Sequence, residues 1–358
     1  MRILLLGDYS GFFKNLKDGL IQIGHEVDLA TTGDGFKDTA KSDIYMPGKS
    51  QNRIVKKIDR IVFPATGIIK KYYDYDLAFL INHDIFGGTK YGININHLLL
   101  RKIRQNTSKM FISICALDNY VFELKNKLEY NPYEAYIDID MKGKNYYMHP
   151  NYIKNNENVL GMVDGIIPTM YTYAEAYRRN TKLMNTIPFP INVDSIKFIP
   201  PKTDGKLRIF HGINRRGYKG TEYIEDAMQR IKTKYPNDVE ILIDGGMPLN
   251  KYLRVIEESD VIVDQALSYC YGMNAIYSMA MGKVVLSGNE QECQREFKRT
   301  DIPIINIKPS TDDIYNKLEE LVADIRRVEE IGYNSRRFVE DFHHYVKVAK
   351  QYVNAWNI

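Results

Sequence analysis

Short, unbroken apolar runs separated by stretches of helical spacing recur along the chain. The first run, Ile3–Leu6, ends at Gly7 and passes through a glycine-bearing loop, Gly7-Asp-Tyr-Ser-Gly11, into a helix predicted from about Phe13 to Ile23. Gly24-His25 stops that helix, and Glu26–Thr31 resumes as a strand. A strand–helix–strand opening with continuous apolar strands implies a parallel sheet covered on both faces. Similar runs at Leu77–Ile81, Met110–Ile114 and Gly165–Pro168 are spaced widely enough for helical crossovers, so the first half predicts one doubly wound α/β domain. Gly33-Asp-Gly35 and the polar stretch Lys37–Arg53 read as a loop or irregular insertion in it.

The proline-rich segment Ile187–Pro201 has no helical period and reads as an interdomain linker. A second alternation follows: strand Leu207–His211, loop Gly212–Gly220, helix Thr221–Lys234, strand Glu240–Asp244, helix Leu249–Glu258 and strand Val261–Val263. A helix across Asn274–Met281, a strand at Val284–Ser287 and a helical region from Ile314 complete it. The expected organisation is two α/β domains, 1–190 and 191–340, with a terminal helix, 341–358.

Composition narrows the function classes. With 49 Lys+Arg against 45 Asp+Glu, the chain carries a net +4, which argues against nucleic-acid binding by bulk charge. Cys115, Cys270 and Cys293 are far apart and form no metal or disulfide pattern, so no metal is expected and a reducing cytoplasm is the simplest location. The opening apolar run is too short for a signal-peptide core, and no apolar stretch approaches the roughly 20 residues of a membrane span. Any membrane contact is therefore expected to be peripheral. The unusual count is 27 Tyr beside one Trp.

Two segments carry the candidate chemistry. His211-Gly-Ile-Asn-Arg-Arg-Gly-Tyr-Lys-Gly220 follows a strand and opens a helix, which aims backbone N–H groups and the positive end of the helix dipole at one place. Arg215, Arg216 and Lys219 add cations suited to a diphosphate, whose negative charge grows as it leaves. The plain alternative is a basic surface turn. It is not a P-loop, because Tyr218 separates Gly217 from Lys219, and the first βα turn holds no GxGxxG. In the second segment, Asp260 to Lys283, a strand ends at a loop with Gly272 and a helix begins that presents Asn274, Tyr277 and Ser278. Ligands of open α/β sheets bind beyond the carboxyl ends of strands, so the two loops should converge. A buried helix–strand unit without a ligand is the alternative here.

Weaker candidates remain. Asp138-Ile-Asp140 imitates a metal-binding Asp-x-Asp but alternates like a half-exposed strand, and His343-His344 reads as a solvated or packing pair. The stretch Ile54–Tyr75 mixes Lys56, Lys57, Arg60, Lys70 and Lys71 with Ile, Val, Phe and Tyr, a pattern that suits an anionic membrane surface or, more commonly, a solvated helix face.

These pieces in this order resemble glycosyltransferases of the GT-B architecture, most similarly the family-four group of retaining, nucleotide-sugar-dependent enzymes. The matching residues are Met1–Gly11 with Gly24-His25-Glu26-Val27, the linker, Arg216…Lys219-Gly220-Thr221, Tyr271-Gly272…Met279-Ala280-Met281-Gly282-Lys283, and Gly332…Arg336-Arg337-Phe338-Val339-Glu340. The resemblance implies two Rossmann-like domains facing a central cleft, with the terminal helix, Tyr345–Val353, crossing back to the first domain. It implies sugar transfer from a nucleotide-diphosphate donor to a glycan or glycolipid acceptor, with retention, in the cytoplasm or at the inner membrane face.

Residue by residue, the resemblance sets Arg216 and Lys219 on the donor diphosphate and Asp118 near the acceptor, with His83 and Asp84 lining the same cleft. It sets Gly11 in a loop over the reacting sugar, and Gly212, Arg215, Gly272, Met273, Asn274, Tyr277 and Ser278 around the donor. The family's Glu-x7-Glu positions are here Tyr269 and Tyr277, and a phenol offers a ribose one oxygen where a carboxylate offers two. Either Asn274 or Ser278 is the substitute that holds the donor, or donor affinity is weak, or the chain has lost catalysis. Two further readings stay open: a non-catalytic GT-B-shaped binding protein, and a nucleotide-sugar epimerase.

Overall fold

Arg2–Leu6 (β1) pairs in parallel with Glu26–Ala30 (β2) on one side and Tyr75–Leu80 (β3) on the other. Thr107–Ile114 (β4) and Gly165–Pro168 (β5) extend the sheet to the order β2-β1-β3-β4-β5. This computed structural model describes residues 1–33, 40–50, 52–87, 94–133, 146–202, 205–213 and 217–357. The insertion expected at 37–53 falls partly outside them, and Asp138 and Asp140 wholly so.

The chain divides into two units, Met1–Glu123 with Asn145–Pro190 and Tyr345–Ile358, and Leu124–Lys144 with Ile191–His344. In the first, parallel strands need crossovers, and the chain supplies Phe12–Gln22 (α1), Arg53–Val62 (α2), Ile95–Gln105 (α3), Asn119–Glu123 (α4), Pro150–Met162 (α5) and Tyr171–Ala176 (α6). Ile3, Leu4, Leu5 and Leu6 are all fully buried, as strands covered on both faces must be.

The second unit repeats the plan. Leu207–Ile213 (β6), Val239–Gly245 (β7), Val261–Val263 (β8), Val284–Ser287 (β9) and Ile305–Asn306 (β10) form a second parallel sheet in the order β10-β9-β8-β6-β7. Thr221–Lys234 (α7), Leu249–Glu258 (α8), Met273–Ala280 (α9), Gln291–Phe297 (α10), Thr311–Ala323 (α11) and Ile325–Phe338 (α12) flank it. Its core joins Ile209, Val261, Val263, Val284 and Leu286 of the sheet to Ile224, Met228 and Ile231 of α7 and Leu318 and Leu321 of α11.

The expected fold class, two doubly wound α/β units, is what the chain forms. The pattern missed β10 and α10, whose two and seven residues are too short to show a period. It also ended β6 two residues early. Gly212 and Ile213 pair with Asp244 and Gly245, so Gly212 is strand rather than loop.

Tyr345–Ala355 (α13) belongs to the first unit, so the terminal helix returns to it as expected. Tyr352 and Trp356 bury their rings against Phe79, and Tyr352 also meets Phe12. Gly19 makes the approach of α13 to α1 possible. A Cβ there would fall 2.4 Å from the Tyr345 carbonyl oxygen and 2.9 Å from the Ala349 Cβ. Gly161 near the end of α5 has open space instead. Ala normally stabilises a helix by about 1 kcal/mol over Gly, so Gly161→Ala should raise the denaturation midpoint and Gly19→Ala should lower it. Urea melts of the two variants read this difference in sign directly.

Candidate functional site

Each sheet has one place where consecutive crossovers leave in opposite directions, and that is where an open α/β sheet accepts a ligand. In the first unit it lies between β1 and β3, and in the second between β6 and β8. The two places differ chemically.

In the first unit the start of α1 already holds an anion of its own. The Asp8 carboxylate, buried beside β1, accepts from the Phe13 amide at 2.7 Å, the Lys14 amide at 3.3 Å and the Gly11 amide at 3.1 Å. Gly11 sits there with φ +79°, a left-handed conformation that favours glycine. The helix terminus that would otherwise attract a phosphate is therefore occupied by a side chain.

In the second unit the corresponding helices start differently. α7 begins at Gly220 and α9 at Gly272, and among the described residues no side chain caps either one. Away from this edge, α11 and α12 are capped by Ser310 and Asp324. The uncapped pair is joined by a buried ion pair: Lys219 Nζ lies 2.8 Å from Asp264 Oδ1, at the end of β8, and 3.1 Å from the Gly212 carbonyl. Asn274 donates to the same Asp264 oxygen at 2.8 Å and accepts a hydrogen bond from the Tyr252 hydroxyl. The Ala266 amide donates to the Lys219 carbonyl at 2.8 Å, completing the tie between the two loops.

Electrostatics follow from this burial. Loss of water pushes the Asp264 carboxyl up, but the Lys219 charge and the hydrogen bonds from Lys219 and Asn274 outweigh it and hold the group below its ordinary range. Beneath the pair, His211 Nδ1 lies 2.7 Å from the Val263 carbonyl and Nε2 lies 3.1 Å from the Thr221 hydroxyl. Nδ1 therefore donates to the carbonyl, and the Thr221 hydroxyl pairs with Nε2. Asp264, Tyr252 and His211 bind this edge together, and only position announced them: a carboxylate directly after the buried run Val261–Val263 stands where strand ends face a ligand.

Of the other expected donor residues, Gly11 belongs to the first unit, at the start of α1. Arg215 and Arg216 lie outside the described residues. Gly272 opens α9 with nothing within 4 Å of where a Cβ would stand, whereas Met273 is buried. Tyr277 is half-buried. Ser278 is fully buried, its hydroxyl turned back onto the Asn274 carbonyl at 2.9 Å. Of the two expected substitutes for a carboxylate, Asn274 therefore serves Asp264 and Ser278 faces inward.

At the other tyrosine position, the Tyr269 ring stacks on Tyr130 with centroids 4.8 Å apart and its hydroxyl accepts from the Glu129 amide at 3.3 Å. The Tyr130 hydroxyl donates to Glu290 Oε1 at 2.7 Å, and Asn306 donates to the same oxygen at 2.8 Å. Burial and the bond to Glu290 push the Tyr130 phenol far above its ordinary value, so it remains a donor. His343, from the expected packing pair, is fully buried with Nε2 3.0 Å from the Tyr271 hydroxyl.

In the first unit, Asp118 faces inward. Its Oδ1 accepts from the Val121 amide at 2.8 Å, starting α4, and its Oδ2 accepts from the Tyr177 hydroxyl at 2.5 Å. Burial raises this carboxyl to about 6 despite those bonds. His83 is also buried, edge-on to Tyr152 at 4.6 Å, and burial lowers its imidazole to about 3, which keeps it neutral. Among the described residues no three His, Cys, Asp or Glu side chains come together as a metal site would require.

No family model and no curated protein matches the chain. Solved structures do. A sucrose-phosphate synthase from Thermosynechococcus elongatus aligns at a TM-score of 0.63 and 15% identity over 100% of this chain and 98% of its own. HepE from Anabaena in complex with UDP-glucose aligns at 0.61 and 11% over 100% and 99%. A UDP-GlcNAc 2-epimerase from Neisseria meningitidis, bound to UDP-GlcNAc, aligns at 0.53 and 11% over 99% of both chains. This likeness shows the fold: the chain has the GT-B fold of glycosyltransferases.

Two stability measurements test the site's wiring. Lys219→Met strands a buried carboxylate and should cost about 3–5 kcal/mol in urea unfolding, whereas Lys219→Met with Asp264→Asn, which removes the stranded charge, should cost clearly less. For Asp118 the folded carboxyl lies above the ordinary 3.8, so the folded state holds the proton more tightly and loses stability as pH rises through the window from about 4 to about 6. Relative to Asp118→Asn, the unmodified protein should weaken by at most ~3 kcal/mol across that window, at about 1.4 kcal/mol per pH unit, and hold level above it.

Proposed function

We propose that the second unit binds the diphosphate of a nucleotide sugar and that the protein transfers the sugar to a glycan or glycolipid acceptor with retention. The observation that carries this reading is the pair of uncapped helix starts, Gly220 and Gly272, tied together by Lys219 and Asp264 at the switch point between β6 and β8. First-turn amides of α7 and α9 would face the phosphate oxygens. The fold supports a sugar nucleotide as the anion, since solved structures that share it hold UDP-glucose and UDP-GlcNAc.

In the proposed reaction the bond from the anomeric carbon to the diphosphate oxygen breaks while a bond to the acceptor oxygen forms on the same face. The acceptor's proton passes to the departing diphosphate, so no separate protein base is required. Negative charge grows on the leaving group, where the amides, Lys219 and Arg216 are most effective. Lys219 already neutralises Asp264, so its contribution to the diphosphate is shared with that carboxylate. Tyr277 would meet the ribose through a single phenolic oxygen. Asp118 enters as a positioning residue for α4.

The test is a screen of nucleotide sugars, UDP-sugars first, scored for nucleotide release with and without acceptors. Lys219→Ala, assayed at a temperature where it remains folded, should lose about two to three orders of magnitude in turnover. Undiminished turnover would remove Lys219 from the mechanism. Conversion of the donor sugar without an acceptor would establish an epimerase instead, and no thermal stabilisation by any nucleoside diphosphate would establish a non-catalytic binding protein.

A further inference from the structure

Helix α2 is built inside out. Its sequence, Arg-Ile-Val-Lys-Lys-Ile-Asp-Arg-Ile-Val, places Ile54, Val55, Ile58, Ile61 and Val62 on one stripe, the spacing that normally faces a core. Here all five are between 51% and 71% exposed, and Ile68 beyond the helix is exposed as well. Asp59 and Arg60 turn toward the protein. Asp59 accepts from the Tyr45 hydroxyl and the Gly48 amide, each at 2.6 Å. The Arg60 guanidinium lies so close to Gly48 and Gly87 that a Cβ on either would fall 2.4 or 2.6 Å from it. The helix is also deliberately started, with the Asn52 side chain accepting from the Ile54 and Val55 amides. Phe63 anchors its end, buried among Tyr45, Tyr72 and Phe86.

The segment is strongly cationic. Residues 52–73 hold six Lys or Arg (Arg53, Lys56, Lys57, Arg60, Lys70, Lys71) and one acid, Asp59, a net +5 where the whole chain carries +4. Lys57, Lys70 and Lys71 are exposed, and Lys57 borders the apolar stripe one turn from Ile61. We infer that this face is a docking surface for an anionic lipid bilayer, with α2 lying in the interface plane, its isoleucines and valines among the acyl chains and the lysines at the headgroups. An apolar stripe bordered by cations matches that environment on both counts. A second copy of the chain would bring +5 against +5. No described helix is long and apolar enough to cross the membrane, so the contact is from one side. The inference is independent of the sugar-transfer reading and adds a location to it.

The test is co-sedimentation of the full chain with vesicles of phosphatidylcholine alone and of phosphatidylcholine with one third phosphatidylglycerol, at low and high salt. The expected result is binding roughly tenfold stronger on the anionic vesicles, weakened by salt. Ile58→Ser with Ile61→Ser should reduce it at least about tenfold, and Lys57→Glu with Lys71→Glu should abolish the preference for anionic lipid. All four sites are exposed, so melting temperatures should stay the same. Equal binding of the isoleucine variant and the unmodified protein, or no preference for anionic vesicles, would overturn the inference. So would a concentration-dependent dimer that the isoleucine variant dissolves, since a second copy would then cover the face.

Discussion

The buried contact between Lys219 and Asp264 is the interaction on which the second unit's candidate ligand edge depends. It joins the loop after β6 to the end of β8 across the switch point, and the Asn274 amide, the Gly212 carbonyl and, through Asn274, the Tyr252 hydroxyl all converge on it. A charge pair this deep is seldom a large net source of stability, because both ions leave water. Its worth lies in placement. With Lys219 fixed, the backbone from Gly217 to Gly220 is held in two left-handed turns, φ +86° and +72°, that start α7 without a side-chain cap.

The two units carry the same topology with opposite chemistry at equivalent places. Asp8 supplies an internal carboxylate to the start of α1, so that terminus is electrostatically complete. All three helices start at a glycine, but among the described residues the first-turn amides of α7 and α9 have no carboxylate partner of the kind Asp8 gives α1. One fold thus yields a closed terminus in the first unit and open ones in the second, and the difference comes down to an aspartate three residues before a glycine.

Much of the fold was legible because buried parallel strands write themselves as apolar runs. Val261–Val263 and Val284–Ser287 were readable to the residue, whereas β10 and α10 were too short to carry a period. Of the candidate site, the glycines and Lys219 are legible through their place after a strand. Asp264 was overlooked because nothing in the local sequence says that a buried lysine 45 residues earlier will neutralise it. Asp118, set near the acceptor by the resemblance and not by its local pattern, has its oxygens on the Val121 amide, which starts α4, and on the Tyr177 hydroxyl. Helix α2 shows the limit of pattern alone, since periodicity reports an apolar stripe without saying which way it faces.

The tyrosines gain a specific meaning from this geometry. Tyr269 is part of a stacked pair with Tyr130 that leads to Glu290, so a carboxylate stands beside the position where the sequence lacks one. The central claim is that the edge of the second unit around Lys219 and Asp264 receives the nucleotide diphosphate. Hydrogen–deuterium exchange with and without UDP or a UDP-sugar tests it most directly. The account predicts slowed exchange in peptides covering 207–222 and 264–278, with the start of α1 unchanged. Protection confined to the first unit, or none in those peptides at saturating ligand, would contradict it.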